Sequence, residues 1–379
     1  MKSIYLDYAA ATPLRSEALE AMMPFFTDEF HNPSAAYLAG RKARQELEDI
    51  RRRAAAVLGG RPAEIVFTAG ATEANNLAIQ GVMRQYPEAE VLVSSVEHES
   101  VLGPARLFAN REIPVTEQGV VDMEQLEKMI SDRTVLVSVM LVNNELGTIQ
   151  PLREIASLLN KLSILRRQQD NSLPLYLHTD AAQAGNCLDL HVSRLGADLM
   201  SINGGKIYGP KQSGILYIKA GTELQPLIVG GGQEFNMRSG TENVAAAAGL
   251  VRALELASEN KASESRRIFE LRSMFEKGIA ERLPNAKVNG APKGRSPHII
   301  SLTLPGTDNE RLMMELDERG IQCAVGSACS ASHEEASHVL SAIGLSPSEA
   351  RSTLRFSLGR HTSADDIEKT LQVLASLTD

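Results

Sequence analysis

The chain of 379 residues is long enough to bury a sizeable core and to form two or three domains. Hydrophobic residues make up 43% of it and charged residues 23%, a balance that excludes a mainly disordered chain. The 39 basic and 47 acidic residues give a net charge of -8, so we expect no direct nucleic-acid partner, because phosphate backbones attract basic surfaces.

The first residues read as folded sequence rather than as a targeting segment. Residues 1–7 carry neither an apolar signal core nor an Arg-rich transit pattern. No apolar run approaches the roughly 20 residues that span a bilayer. We therefore expect a cytoplasmic protein without a membrane partner.

Helix and strand patterns alternate through the first two thirds of the chain. Residues 41–58 are predicted to form an amphipathic helix that ends at two glycines, and residues 64–67 a short buried strand. This alternation predicts a largely parallel sheet with helices on both faces. We interpret the polar run 166–171 as a surface loop and assign it no function. Further strands are predicted at 90–94, 135–141, 173–178, 198–202 and 215–218.

The pattern changes in the last third of the chain. A long helix over roughly 243–283 comes first, and strands at 298–304 and 322–325 follow it. Helices near 334–343 and 363–377 complete this region, which we expect to form a second, smaller α+β domain.

Two polar segments directly follow predicted strands. In 67–76 a turn of small residues leads into a helix whose free N-terminus could hold a phosphate, with Thr72 adding a hydroxyl. Asp180 ends an apolar strand, at the edge where ligands bind in open α/β sheets, and could pair with a protonated ring nitrogen. Each signal is weak by itself, because Thr72 and Asp180 are equally good helix caps.

Two glycine-rich loops carry further candidate ligands. Loop 201–211 contains two lysines, of which Lys206 lies closer to the strand end. A lysine that forms a Schiff base must be deprotonated part of the time, which a partly buried site beside other cations achieves. Lys206 is the better candidate because it is closer to the strand end. The stretch 230–241 adds Arg238 and Thr241, which could bind an anion. A solvated turn and a flexible linker are the alternatives for these two loops.

The three cysteines are too few and too unevenly spaced for a disulfide framework or a zinc-ribbon pair. Cys187 and Cys323 lie in segments typical of a core, where cysteine behaves as a small hydrophobic residue. At least one of the three cysteines is expected to be kept for its reactivity.

Taken in this order and spacing, the segments resemble the cysteine desulfurases of the class V (fold-type I) aminotransferase family. The likeness begins at 5–10 and 32–34 and ends at 354–360, so it covers nearly the whole chain. The most specific marker is 326–330, Gly-Ser-Ala-Cys-Ser, which is similar to the active-cysteine loop of group I members.

The resemblance implies the α/β fold of a fold-type I transferase that depends on pyridoxal 5'-phosphate (PLP). Residues 16–255 would form a large PLP-binding domain with a mostly parallel seven-stranded sheet. Residues 1–15 and 256–379 would form a smaller α+β domain that carries the active-cysteine loop.

The resemblance also assigns roles around the cofactor. Lys206 would hold PLP covalently as an aldimine and remove the Cα proton, and Asp180 would keep the pyridine nitrogen protonated. Arg355 would clamp the substrate carboxylate, for which a guanidinium has a suitable two-pronged geometry. The remaining cofactor contacts would be Ala71, Thr72, His98, Asn144, Gln183, Asn203 and Thr241.

Four of these contacts have a more specific implied role. His98 would stack on the ring and shuttle protons, and Gln183 would bond the ring hydroxyl. Asn144 would lie near both the ring and the substrate. Thr241 would reach the phosphate from the neighbouring subunit, so the resemblance implies a homodimer.

The implied reaction converts L-cysteine to L-alanine and leaves the sulfur as a persulfide on Cys329. Such chemistry needs a thiolate on a mobile loop, because the sulfur is collected at the cofactor and delivered elsewhere. The small residues around Cys329 suit such a loop. The acceptor would be a protein, such as an iron–sulfur scaffold or a thiolation relay protein.

Two positions near the expected phosphate site depart from the family pattern, and they leave other functions open. Gly205 stands where a histidine usually precedes the lysine, and Asn203 stands in place of a serine. A lost charge-assisted bond to phosphate costs roughly 1.5 to 3 kcal/mol, about one to two decades of cofactor affinity. The alternatives are a selenocysteine lyase, another class V aminotransferase that would not need Cys329, and a non-catalytic sulfur-trafficking scaffold.

Overall fold

The computed structural model describes residues 3–326 and 337–378, and no helix within these ranges is both long and apolar enough to cross a membrane. The described strands are β1 Ile4–Tyr5, β2 Ile65–Thr68, β3 Glu90–Ser94, β4 Asn110–Ile113, β5 Thr134–Ser138, β6 Tyr176–Asp180, β7 Leu199–Asn203, β8 Gly214–Ile218, β9 Lys287–Asn289, β10 Ile299–Thr303, β11 Ile321–Gln322 and β12 Thr353–Ser357. The α-helices are α1 Ser16–Met22, α2 Pro24–Thr27, α3 Leu38–Leu58, α4 Ala71–Gln85, α5 Glu99–Ala105, α6 Met123–Met129, α7 Leu152–Gln168, α8 Val192–Leu195, α9 Val244–Arg282, α10 Asn309–Glu318, α11 His338–Ala342, α12 Pro347–Ala350 and α13 Ala364–Thr378.

A mostly parallel sheet of seven strands forms the centre of the larger unit, which confirms the predicted fold class. The strand order is β2-β8-β7-β6-β5-β3-β4, and only β8 runs antiparallel to its neighbours. The predicted strand 90–94 agrees with β3 at both ends, and the others shift by one to three residues. β4 was not predicted, because its sequence is mostly polar and lacks an apolar pattern. In the structure only Ile113 of this strand is fully buried.

A smaller unit packs on the C-terminal half of α9. The antiparallel sheet β12-β10-β9 and the parallel pair β1-β11 surround a separate core, in which the rings of Phe275 and Phe356 lie 5.2 Å apart. The alanine-rich start of α9 is buried against the larger unit, while Ile268 and Ile279 near its other end are buried in the smaller one. One helix therefore joins the two cores; the domain limits expected from the resemblance stay predictions.

Two helix predictions need correction. α3 begins at Leu38 rather than at residue 41, although it ends before Gly59 as expected, with that glycine left-handed at φ 69°. The predicted surface loop 166–171 is wrong in its first part, because α7 continues through residue 168. Arg166 is buried, and its guanidinium donates to the backbone carbonyls of Ser131 and Thr134 at the start of β5.

Candidate active site

A cavity of about 690 Å³, here called the central pocket, lies where the parallel strands end. This is the edge at which open α/β sheets bind ligands, since several strand ends and the loops that follow them converge there. Nine of the eleven predicted site residues line the central pocket: Ala71, Thr72, His98, Asn144, Asp180, Gln183, Asn203, Lys206 and Arg355.

One end of the central pocket is the N-terminus of α4. Gly70 precedes this helix with φ 139° and caps it without a side-chain hydrogen bond, so the first backbone N–H groups of α4 are available to an anion. Thr72 is exposed in the first turn and is not the cap, which excludes the alternative considered for it. The N-terminus of α4 therefore suits a phosphate.

The two departures from the family pattern lie at the same end. Asn203 accepts a hydrogen bond from the backbone N–H of Gly205 (2.9 Å) through its side-chain oxygen, which leaves its amide nitrogen as a donor. A Cβ at Gly205 would meet nothing closer than the Asn203 oxygen at 3.4 Å and Lys211 Cγ at 3.7 Å. The backbone would therefore admit a side chain at Gly205.

Asp180 is a buried carboxylate at the end of β6. Its Oδ2 accepts from the Asn75 amide (2.7 Å) and its Oδ1 from the backbone N–H of Ala182 (2.8 Å). A turn rather than a helix follows β6, so Asp180 is not a helix N-cap. The two donors hold the carboxylate in place at the pocket wall.

His98 caps α5, and this contact determines which ring nitrogen carries the proton. Its Nδ1 accepts from the backbone N–H of Ser100 (3.0 Å), so the neutral imidazole is protonated at Nε2. The preceding Glu97 is fully buried. Its Oε1 accepts from Met140 N–H (2.6 Å), and its Oε2 has no partner within the described ranges 3–326 and 337–378. Burial raises the pKa of Glu97 well above its usual value, and the charge of Asp180 raises it further. The sequence analysis missed Glu97, although it adjoins His98.

Lys206 and Gln183 share one backbone acceptor. The Lys206 ammonium and the Gln183 side-chain amide each donate to the carbonyl oxygen of Ala9, both at 2.9 Å. Ala9 belongs to the N-terminal segment 5–10. This segment resembles the family, but the sequence did not indicate what it does in the structure. The N-terminal backbone thus helps to set the position of both side chains.

Arg355 lies on β12 and is almost fully buried. One guanidinium nitrogen donates to Asp7 (2.7 Å) and the other to the backbone oxygen of Asn144 (3.1 Å). Its Nε has no hydrogen-bond partner among the residues that the structure describes, so part of its donor set remains for a carboxylate. Asp7 is a second residue that the sequence analysis did not single out.

Two predicted site residues do not line the central pocket. Thr241 lines a different cavity, beside Phe67 and Gly214 of the same chain. Cys329 lies outside the described residues. Gly326 and Ser337 are the nearest described residues on either side of it, and a Cβ built at Gly326 would lie 3.7 Å from Ser337 Cβ. Ser337 Oγ donates a hydrogen bond to Glu145 (2.6 Å).

The other two cysteines have the structural character expected of them. Burial raises the pKa of Cys187 to about 11 and that of Cys323 to about 12, and Cys323 packs against the core of the smaller unit. Thiols of this kind are poor nucleophiles at neutral pH.

The glycine-rich stretch 230–241 is held by ion pairs and is not a flexible linker. Glu234 forms a buried pair with Arg51 (2.7 Å), and Arg238 binds Glu73 in the first turn of α4 (2.9 Å). Arg238 therefore supports the helix at the phosphate end of the pocket rather than lining the pocket itself.

No group of His, Cys, Asp and Glu side chains within residues 3–326 and 337–378 is arranged to hold a metal ion. The central pocket fits PLP better. A helix N-terminus suits a phosphate, and a buried carboxylate suits a protonated ring nitrogen. Lys206 lines the same pocket and offers an amine.

Known proteins match the chain over its whole length. Residues 4–370 match the family model described as aminotransferase class-V. A cysteine desulfurase IscS from Dictyoglomus turgidum is 40% identical, with 100% of this chain and 95% of the relative covered. A solved NifS-like protein shares the fold with a TM-score of 0.89 at 30% identity, covering 99% of both chains. A structure described as SspA in complex with cysteine has a TM-score of 0.78 at 34% identity, covering 94% of this chain and 99% of the other.

Proposed function

We propose that this chain, which belongs to the class V aminotransferases and within them to the cysteine desulfurases, converts L-cysteine to L-alanine and transfers the sulfur to its own Cys329. The observation that carries the proposal is the central pocket, where an amine, a carboxylate, an imidazole and a guanidinium face one cavity. These groups belong to Lys206, Asp180, His98 and Arg355. The relative described in complex with cysteine supports this substrate.

The residues of the central pocket would hold PLP at three places. The N–H groups at the start of α4, with Thr72, would bind the phosphate. Asp180 would keep a proton on the ring nitrogen, and Lys206 would hold the cofactor covalently. When bound, PLP supplies an electron-poor ring that stabilises negative charge on the substrate Cα.

Substrate binding and proton transfer would use Arg355, Lys206 and His98, which line the same pocket. Arg355 would bind the substrate carboxylate with the N–H donors that Asp7 and Asn144 leave available. The Lys206 amine would remove the Cα proton. His98 would exchange a proton through Nε2, because its Nδ1 is occupied by Ser100.

The sulfur transfer balances without an external oxidant or reductant. The Cys329 thiolate attacks the substrate sulfur, and an S–S bond forms as the substrate C–S bond breaks. The electron pair of the C–S bond stays on carbon, which takes up a proton and becomes the methyl group of alanine.

We also infer a homodimer that hands the sulfur to an acceptor protein. Thr241 lies outside the central pocket of its own chain, so a phosphate contact from this residue requires a second chain. Exposed apolar side chains are frequent in two segments, 19–38 and 228–235, and exposed patches of this kind mark interfaces. An iron–sulfur scaffold or a thiolation relay protein would accept the persulfide sulfur.

The test follows cofactor, substrate and sulfur in one sample. We expect the purified protein with PLP to be yellow, its visible spectrum to change with L-cysteine, and mass spectrometry to find one added sulfur on the Cys329 peptide. Cys329→Ser should keep the visible absorption but lose the formation of alanine and sulfide. Cys323→Ser should keep the visible absorption and the formation of both products.

Three results would overturn the proposal. The first is a protein that stays colourless with PLP. The second is Lys206→Ala with unchanged visible absorption. The third is normal turnover by Cys329→Ser under reducing conditions.

A further inference from the structure

A second cavity adjoins the central pocket and shares Gln183 and Lys206 with it. This neighbouring cavity has a volume of about 840 Å³, and its wall includes Cys187 and His298. The proposed reaction uses neither of these two side chains. His298 nevertheless contacts Gln183, one of the two shared side chains, and Cys187 contacts His298.

A chain of short contacts leads from this wall to Gln183. His298 Nε2 lies 3.3 Å from Gln183 Oε1, and His298 Nδ1 lies 2.6 Å from Ser296 Oγ. Cys187 Sγ completes the group, at 3.4 Å from Ser296 Oγ and 3.3 Å from His298 Nδ1. Ser296 is fully buried, and Arg272 donates to its backbone oxygen (2.8 Å), so the end of the chain is held firmly.

The carbonyl of Ala9 sets the direction of the hydrogen bonds that run from Gln183 through His298 to Ser296. A carbonyl oxygen only accepts, so the Gln183 atom that contacts Ala9 is the amide nitrogen. The Gln183 oxygen must then face His298, whose Nε2 must carry the proton. The Nδ1 lone pair of His298 in turn requires the Ser296 hydroxyl to donate.

The surroundings of His298 keep its imidazole neutral, as this arrangement requires. Burial, together with the positive charges of the nearby Arg355 and Arg272, lowers the pKa of His298 to about 4. A neutral imidazole has one N–H, which Gln183 receives, and one lone pair, which Ser296 fills. The second N–H of the Gln183 amide is therefore left for the central pocket.

We propose that His298 is a positioning residue of the cofactor site, which together with the Ala9 carbonyl holds the Gln183 amide so that its nitrogen faces the PLP ring oxygen. The inference rests on the proposed function, since it concerns the same bound cofactor. A reversed amide would place an oxygen against the ring oxygen and lose this hydrogen bond. His298 precedes β10 in the smaller unit and Gln183 follows β6 in the larger one, so the contact also joins the two units.

The test uses the PLP-loaded protein without substrate. A donor at the ring oxygen stabilises the form that has lost a proton, so losing the donor moves the pH midpoint of the visible absorption change upwards. We expect His298→Ala to raise this midpoint by about half a pH unit to one unit, the equivalent of one hydrogen bond. The amide of His298→Gln can donate from nearly the same place, so this variant should have a midpoint close to that of the unchanged protein.

A double-mutant cycle separates positioning from a general structural role. Because His298 acts through Gln183, His298→Ala should add no further shift in a Gln183→Ala background. Ser263→Ala changes the wall of the neighbouring cavity at a residue that does not belong to the hydrogen-bond series from Gln183 to Ser296. This variant should leave the pH midpoint unchanged. Thermal unfolding of each variant checks that the fold is kept.

The outcomes distinguish this inference from the proposed function. An unchanged midpoint in His298→Ala, or shifts of His298→Ala and Gln183→Ala that simply add, would overturn the positioning role while PLP binding and turnover stand. A protein that binds no PLP would overturn both proposals.

Discussion

The central pocket and the neighbouring cavity share a wall but differ in how their buried groups are satisfied. In the central pocket Asp180 has two hydrogen-bond donors and Arg355 has the carboxylate of Asp7. In the neighbouring cavity burial raises the pKa of Cys187 and lowers that of His298, so both stay neutral. Burial removes charge from a group without an opposite charge nearby, whereas a built-in partner allows charged chemistry at the same depth.

Thiol labelling tests the neutral side of this contrast and has the largest expected effect. With a pKa of about 11, Cys187 is thiolate in roughly one molecule per thousand at pH 8, and this fraction rises about tenfold per pH unit. In a Cys323→Ser, Cys329→Ser background, iodoacetamide should label Cys187 very slowly at pH 8 and faster as the pH rises. Rapid labelling at pH 8 would contradict a neutral cavity; urea-unfolded protein is the positive control.

Asp180→Asn tests the charged side. An amide cannot hold a proton on the ring nitrogen, so we expect kcat for alanine formation to fall about a hundredfold, as on loss of one preorganised electrostatic contact. Asp365→Asn changes an exposed carboxylate in α13 and is the matched control. An Asp180→Asn variant with normal kcat would show that the pocket does not depend on this charge.

The pH dependence of the unfolding free energy of His298→Gln tests whether His298 is neutral in the folded protein. The pKa of His298 is lowered to about 4, so the unfolded chain takes up the proton first as the pH falls below about 6.5. The stability from neutral His298 is therefore complete above pH 6.5 and is lost as the pH falls towards 4. Between pH 7.5 and 5, His298→Gln should lose less unfolding free energy than the unchanged protein, by on the order of 2 kcal/mol.

Urea denaturation at the two pH values measures this difference. Parallel losses in both proteins would mean that His298 is not held neutral in the folded chain.

Arg355→Lys has the smallest expected effect. Lysine keeps the charge opposite Asp7 but loses the planar two-pronged geometry, so we expect KM for L-cysteine to rise about tenfold with a smaller change in kcat. Arg319→Lys, at an exposed position after α10, is the control. A KM unchanged in Arg355→Lys would argue against a carboxylate clamp at this position.

Sequence patterns predicted most of the fold because they depend on local periodicity. β3 and the long helix α9 were located to within a residue or so, and α3 to within three residues. β4 escaped prediction because its polar edge sequence carries no alternation. Arg166 was misread because a buried arginine with backbone acceptors has the same local sequence as a surface one.

The chain order and chemistry of the candidate residues were readable before the fold was known. Strand ends and glycine-rich turns indicated Thr72, Asp180 and Lys206, and the resemblance to the family implied the other six residues that line the same pocket. Asp7, Glu97 and His298 were missed, because nothing near them in the sequence shows that they contact Arg355, Met140 and Gln183.

The amino-acid sequence by itself determined the elements, their alternation and the reactive residue types, because each depends on near neighbours in the chain. Only the tertiary structure decided which of these residues are paired, neutral or oriented. A carbonyl at Ala9 sets the amide of Gln183 from 174 residues away, and burial rather than residue type sets the pKa of His298. Such properties depend on contacts between distant segments, which exist only once the chain has folded.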